Sequence, residues 1–352
     1  MQALLISREL RNRGHDVSLL CAPRSAILKE AGAVGVPAFG LLGDDKQAFG
    51  TIKDLSKFLK SYDFDVVHTH LSHDLWWLVP ALKLSSSHSK LFLTKHMASG
   101  VKKTDPLHRF LYGRVQDTFA ISNYIRGSVL NTCPVPEKSV HVLHPGISLE
   151  TFNPALYSGA EVRNELSIPG NALLIGMTGR ITPGKGHEEF LRAARKLTDS
   201  SELDLMFVII GGASHGEESF ETRMEELVDD LALTDVVRFT GFREDVPRLL
   251  SALDIFAFPS HEESFGLALV EAMAMRVPAV ASSSAGVLDI VLDRQTGILV
   301  PPKDYNALAD GIGRLASDPD SRIRYAAAGR ERVERYFSIQ YLTQNLEDYY
   351  AQ

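Results

Sequence analysis

Phe258-Pro259-Ser260-His261-Glu262-Glu263-Ser264-Phe265-Gly266-Leu267-Ala268-Leu269-Val270-Glu271-Ala272-Met273-Ala274 reads as the end of a buried strand, a polar turn and a helix that opens at Gly266. Ile255, Ala257 and Phe258 supply the apolar run, and Leu267, Leu269, Val270 and Met273 recur at helical spacing. The helix is expected to stop before Pro278. A helix N-terminus offers unpaired N–H groups and a partial positive charge, so this turn is suited to an anion. Glu263 and Glu271 frame it as E-x7-E. The expected ligand is an anion that also carries hydroxyls.

The rest of the chain supports a two-domain reading. With 352 residues and 45% hydrophobic content, it is long and apolar enough for two cores. A net charge of -7 gives no general nucleic-acid or membrane footprint, so any anion must be held by placed residues. Cys21 and Cys133 are too few for a zinc cluster or a disulfide framework, which suits a reducing cytoplasm. No leader pattern and no apolar run near about 18 residues is visible, so a cytoplasmic protein is expected.

Strands and helices alternate along the first half. A helix precedes Arg13-Gly14-His15, followed by strands at Val17–Cys21 and near 36–41, 64–69, 90–95, 117–121 and 139–143. Helices are expected near 24–33, 46–60, 73–84 and 122–131. Turn signals crowd 144–171, and a second alternation follows, with strands near 172–177, 205–211, 236–239, 254–258, 278–282 and 298–300. Residues 304–351 read as helical with a break near Phe337-Ser338. The pattern predicts an α/β fold with two doubly wound, mostly parallel sheets, split as 1–160 and 161–337. Two such layers facing across a cleft would bind ligands at the carboxyl ends of their strands.

Several turns carry candidate chemistry. Gly179-Arg180-Ile181-Thr182-Pro183-Gly184-Lys185-Gly186 approaches the phosphate-loop pattern, but Gly186 stands where a hydroxyl is needed and Pro183 removes a donor. What remains is Arg180 and Lys185, two cations suited to phosphate oxygens, against the plainer reading of solvated loop charges. His68-Thr69-His70-Leu71-Ser72-His73-Asp74 resembles a metallohydrolase pattern with Ser72 in place of its aspartate, or else histidines that hydrogen-bond at a strand end. His96 ends another apolar strand, and is either a sugar-hydroxyl donor or structural. Glu271, one turn into its helix, is placed to accept hydrogen bonds from vicinal hydroxyls such as those of ribose.

These segments in order resemble the retaining GT-B glycosyltransferases of family 4. The resemblance rests on Glu263, Phe265-Gly266-Leu267 and Glu271, with Gly179-Arg180, Lys185-Gly186, Gly211-Gly212, Phe239-Thr240-Gly241 and Thr296-Gly297-Ile298-Leu299-Val300. Arg13-Gly14-His15, His68-Thr69-His70 and His144-Pro145-Gly146 extend it through the first half. It implies a GT-B architecture and a UDP-, GDP- or ADP-sugar donor held mainly by the second domain. The first domain would hold an acceptor: a glycan, a lipid-linked sugar or a small molecule. Transfer would retain anomeric configuration and need no metal or other cofactor. Arg180 and Lys185 would neutralise the diphosphate with help from Gly179 and the backbone of Phe265, Gly266 and Leu267. Glu271 would bind ribose, Glu263 the sugar, and His96 the sugar from the opposite wall, with the base near Phe242 and Arg243.

By the same resemblance the last helix, near 338–352, would pack back on the first domain, and a strand and Gly-rich turn would precede the first helix. Their absence before Met1 leads to the expectation of an N-terminally short chain. Two rivals share the donor site: a nucleotide-sugar epimerase, and an inactive nucleotide-sugar-binding fragment. The helix near 46–60, with Lys53, Lys57 and Lys60 beside Ile52, Leu55, Phe58 and Leu59, is either a plain packing helix or a peripheral contact with the inner face of a membrane.

Overall fold

Runs of β-branched and aromatic residues bounded by turns become parallel strands, several of them buried on both faces. The computed structural model describes residues 2–41 and 48–352. It divides into unit 1, Met1–Gly146 with Ile339–Gln352, and unit 2, Ile147–Ser338. No helix of the described residues is long and apolar enough to cross a membrane.

In unit 1, β1 (Leu19–Cys21) pairs in parallel with β2 (Ala38–Gly40). A second parallel sheet runs β3 (Val66–Thr69), β4 (Lys90–Lys95), β5 (Asp117–Ala120), β6 (Val140–Val142). Phe92 and Phe119 stack at 5.7 Å in its core. Ile6 and Leu10 of the first helix and Ile339, Leu342 and Leu346 of the helix Ile339–Ala351 close over them. Arg13 ties the two helices by donating to Glu347 at 2.8 Å and to the Gln340 carbonyl at 2.9 Å. The terminal helix is therefore part of the core of unit 1.

The helix expected near 46–60 is described as Ala48–Tyr62, its first expected residues lying outside the described residues. Leu55 and Leu59 are buried, and the Phe58 ring packs on Phe39, Tyr62 and Phe64. That apolar face is consumed by the unit's own core, which removes the basis for reading it as a membrane contact. A helix not expected from sequence, Pro106–Tyr112, follows Asp105, whose side chain accepts from the backbone of Leu107 and His108. The Asp-Pro pair is an N-cap and first-turn signal.

In unit 2 six parallel strands lie in the order β12-β11-β10-β7-β8-β9. They are β7 (Leu173–Thr178), β8 (Leu205–Ile210), β9 (Val237–Phe239), β10 (Ile255–Phe258), β11 (Ala279–Ser282) and β12 (Gly297–Val300). The chain winds outward from β7 through β9 and returns to the other side of β7 at β10. The turns after β7 and β10 thus flank the switch point of the sheet. The units part between Gly146 and Ile147, whereas the sequence reading divides at 160 and 161. Ile147 N–H donates to the Phe337 carbonyl at 2.9 Å, and Arg163 bridges to Asp254 and to the Ala252 carbonyl, so 147–165 is tied into unit 2. The helical tail breaks at Asp318 as well as near Ser338, because Asp318 caps a new helix by accepting from Ser321 N–H at 3.0 Å.

Leu346→Ala tests the last helix as a structural part of unit 1. Urea unfolding should show a loss of about 2–5 kcal/mol, as for other buried Leu truncations. A loss within error of zero would remove the helix from the core.

Candidate functional site

The turn after β7 lies backbone to backbone against the turn after β10. Gly186 sits at φ +82, and a Cβ there would stand 2.3 Å from the Pro259 carbonyl oxygen. His261 N–H donates to the Gly184 carbonyl at 2.9 Å, and its ring Nε2 meets Glu189 Oε1 at 2.8 Å. This contact brings Lys185 within reach of Glu263, and the two form a short ion pair. The same carboxylate oxygen accepts from Ser260 Oγ at 3.3 Å, and the Glu263 carbonyl accepts from Gly286 N–H at 2.9 Å. Ser260 is buried. It was not singled out in the sequence, although its S-x-x-E spacing to Glu263 was the available signal.

Gly266, at φ +113, reverses the chain into the helix Leu267–Ala274. Only glycine adopts this geometry without strain. Phe265 is buried and packs edge-to-face on Phe337 at 5.7 Å, which anchors the helix start. Glu271 follows one turn in. It is half-buried, its carboxylate has no hydrogen-bond partner among the described residues, and burial pushes its pKa up to about 7. A buried carboxylate left without donors is costly unless something supplies them.

Gly179 begins the β7 turn by donating to the Ile210 carbonyl at 3.0 Å. Arg180 is exposed beside it and reaches Ser214 Oγ at 3.3 Å. Thr182 donates to Glu217 at 2.5 Å, pinning the middle of the turn. His187, just past Lys185, is buried with both ring nitrogens unpartnered, and burial with Lys185 nearby lowers its pKa to about 4. Farther along, Arg243 grips Asp245 with two bonds of 2.7 Å and Glu165 with one of 2.6 Å, while the Phe242 ring is 80% exposed. The Arg243 guanidinium is thus engaged by carboxylates, and Phe242 is the member of that pair with an open face.

His96 belongs to unit 1, directly after β4, whereas the other residues belong to unit 2. Its Nε2 lies 3.1 Å from His70 Nδ1, and burial lowers both pKa values. His68 spends Nδ1 on the Tyr350 hydroxyl at 2.6 Å and Nε2 on Thr94 at 2.7 Å. Burial takes its pKa down to about 3. Both ring nitrogens of His68 are thus engaged, one donating and one accepting, so the metallohydrolase reading loses its first ligand. Among the described residues no three His, Cys, Asp or Glu side chains gather as metal ligands.

Unit 2 therefore presents a cation pair, a helix start and a donor-poor buried carboxylate around one strand-end turn, a set suited to a diphosphate joined to a diol. Comparison with known proteins agrees with this chemistry. Residues 159–332 match the family model described as glycosyl transferases group 1, and residues 2–151 match that of glycosyltransferase family 4. A D-inositol 3-phosphate glycosyltransferase of Saccharomonospora viridis is 30% identical over 308 residues, covering 82% of this chain and 70% of that protein. The chain spans less of other curated relatives, 64% of the one from Salinispora tropica. Among solved structures, a glycosyltransferase from Rickettsia africae superposes with a TM-score of 0.90 at 23% identity, covering 99% of this chain and 93% of that one. Anabaena HepE in complex with UDP-glucose does so with 0.82 at 19% identity, covering 99% and 94%.

Glu271 gives a pH signature. Its folded pKa of about 7 exceeds the ordinary 4.5. Between these values the folded chain binds the extra proton, so this contribution to stability is full below about pH 4.5 and is lost as pH rises through about 7. Urea unfolding from pH 5 to 8 should show Glu271→Gln gaining on the wild type with rising pH, by on the order of 3 kcal/mol at the top of the range. A pH-independent difference would refute the raised pKa.

Proposed function

Since the chain belongs to the family 4 glycosyltransferases of GT-B fold, we propose that it transfers a glycosyl residue from a nucleotide-sugar donor to an acceptor, with retention of anomeric configuration and without a divalent metal. The observation that carries this reading is the Lys185–Glu263 pair beside the helix start at Gly266, with unpartnered Glu271 one turn away. Lys185 and Arg180 face the donor diphosphate together with the N–H groups at the start of the helix Leu267–Ala274. Breaking the glycosidic bond places negative charge on the leaving diphosphate, and preorganised cations lower that barrier. Glu271 accepts from the ribose hydroxyls, which supply the donors its carboxylate otherwise lacks.

Glu263 is shared between Lys185 and the sugar. When a diphosphate takes the Lys185 ammonium, the carboxylate is released to accept from sugar hydroxyls, so one ion pair is exchanged for two substrate contacts. Phe242 offers its ring face to the base. Uridine is the favoured base because HepE binds UDP-glucose in a like fold. His96, hydrogen-bonded to His70 through Nε2, keeps Nδ1 for a hydroxyl of a ligand held by unit 1. The acceptor proton passes to the departing diphosphate on the face the nucleotide leaves.

A thermal-shift panel of UDP, GDP and ADP sugars tests the donor, since a ligand that binds the folded state raises its melting temperature. A rise with UDP-sugars is expected, and no rise with any member would defeat the reading. Glu271→Ala should weaken donor binding by about tenfold or more, the scale of losing hydrogen bonds to a charged group. Lys185→Ala should instead reduce kcat by about 100-fold or more with a smaller change in KM, as removal of a group that stabilises developing charge does. Equal, small effects from both would sink the assignment. Product NMR should report the anomeric configuration of the donor, and EDTA should leave the rate unchanged.

A further inference from the structure

Lys185 stands on a turn that does little to hold itself. Its N–H reaches the Thr182 carbonyl at 3.4 Å, a long bond, and glycines flank it on both sides. Glycine loses more conformational freedom on ordering than other residues, so the lysine depends on contacts from outside the turn. The polypeptide after β10 supplies three of them. Pro259 lies against Gly186, His261 N–H donates to the Gly184 carbonyl at 2.9 Å, and His261 Nε2 meets Glu189 Oε1 at 2.8 Å. Glu189 is the third residue of the helix His187–Ser200, so the ring reaches past the turn to the element that follows it.

The two backbone contacts fall on either side of Lys185 and leave rotation about the line that joins them. The ring contact on the following helix removes that freedom. His261 and Glu189 are both shielded, with side chains 26% and 16% exposed. The pair of the same type at His215 and Glu218 is 3.6 Å apart and lies in open solvent, where such a contact is worth little. Glu189 would be favourable in the first turn of its helix wherever it pointed. It turns to a residue two positions before Glu263, the carboxylate that holds the Lys185 ammonium. One segment thus supplies the ammonium's partner and the contacts that orient the turn bearing it.

We propose that His261 is a positioning residue for Lys185, acting through its ring bond to Glu189. This rests on the glycosyltransferase reading for what Lys185 does to the donor, but not for where Lys185 is held. A group that stabilises developing charge must be in place beforehand, and a misplacement of about 1 Å costs on the order of 100-fold. His261→Phe keeps a ring and the backbone bond and removes Nε2. It should lower kcat by about tenfold to 100-fold with KM within about twofold, since the loss falls on the transition state. His261→Gln, whose amide can meet Glu189, should restore most of the rate. Glu189→Ala should lose as much as His261→Phe, and the double variant no more than either alone, because one contact is removed in all three.

Acetic anhydride labelling read by mass spectrometry follows Lys185 without reference to activity. An ammonium engaged by a carboxylate is less available to the reagent, so His261→Phe and Glu189→Ala should speed acylation of Lys185 toward its rate in Glu263→Gln. Wild-type acylation or a wild-type kcat in both single variants overturns the proposal. So do additive losses in the double variant, or a loss that His261→Gln does not recover and that follows the melting temperature, which would make the pair structural. Should His261→Phe fail to fold, Glu189→Ala leaves the segment after β10 intact and carries the same two readouts, and wild-type values in either overturn the proposal. Faster acylation in the variants of a chain that transfers no sugar would strike the glycosyltransferase reading and leave the placement of Lys185 by His261 standing.

Discussion

The close approach of Gly186 to Pro259 is the constraint on which the unit 2 site depends. A side chain at Gly186 would overlap the Pro259 carbonyl, so the two turns meet only because this position lacks a Cβ. Everything that matters chemically is referred to that contact. It puts Lys185 on Glu263, aligns His261 with Glu189, and sets the β7 turn beside the polypeptide that leads to Gly266. Sheet order makes the meeting possible, since β7 and β10 are neighbours although about eighty residues apart in sequence, at the one place where the winding reverses.

Electrostatically the site is held in an uneven state. Lys185 and Glu263 satisfy each other, whereas Glu271 is half-buried without a donor and burial pushes its pKa up to about 7. The first pair is a stored contact that a diphosphate can replace. The second group is a stored cost that ligand hydroxyls would relieve in the proposed reading. In the proposed reading a diphosphate would exchange for Glu263 on Lys185 with no large rearrangement of unit 2, because the turn backbones are fixed by His261 N–H on Gly184 and Gly286 N–H on Glu263. Arg243 stands outside this economy of contacts: three carboxylate bonds engage it, and its effect is to brace the helix Gly159–Glu165 against the strand-end loop.

Much of the fold was legible because its determinants are local. Continuous apolar runs such as Leu205–Ile210 and Ile255–Phe258 are the mark of strands buried on both faces, and the strands of the described residues fall on or close to the segments the alternation marks. The E-x7-E spacing and the Arg180, Lys185 turn were legible for the same reason. What was not legible is non-local. The Lys185–Glu263 pair joins residues seventy-eight apart, and Ser260 acquires its meaning only from the Glu263 rotamer. The tie of 147–165 to unit 2 comes from Ile147 on Phe337 and Arg163 on Asp254, contacts that turn-rich composition does not encode. The helix Pro106–Tyr112 is a different case, since its Asp-Pro cap was present in the sequence and its shortness hid it.

The histidines of unit 1 show how burial decides between chemically similar residues. His68, His70 and His96 lie in one stack at the carboxyl ends of β3 and β4, and burial keeps all three neutral near pH 7. His68 is closed by Tyr350 and Thr94, so it works as a spacer between the core aromatic rings and the loop. His70 spends Nδ1 on His96, which uses Nε2 for that bond and keeps Nδ1 for other partners. Neutrality means that one nitrogen of the His70–His96 pair donates and the other accepts, so the tautomer of His96 is coupled to that of His70. A single imidazole at the strand end would be free to present either face; the stack selects one. That selection, rather than acid–base titration, is the physical contribution the three half-buried histidines make at this end of the sheet.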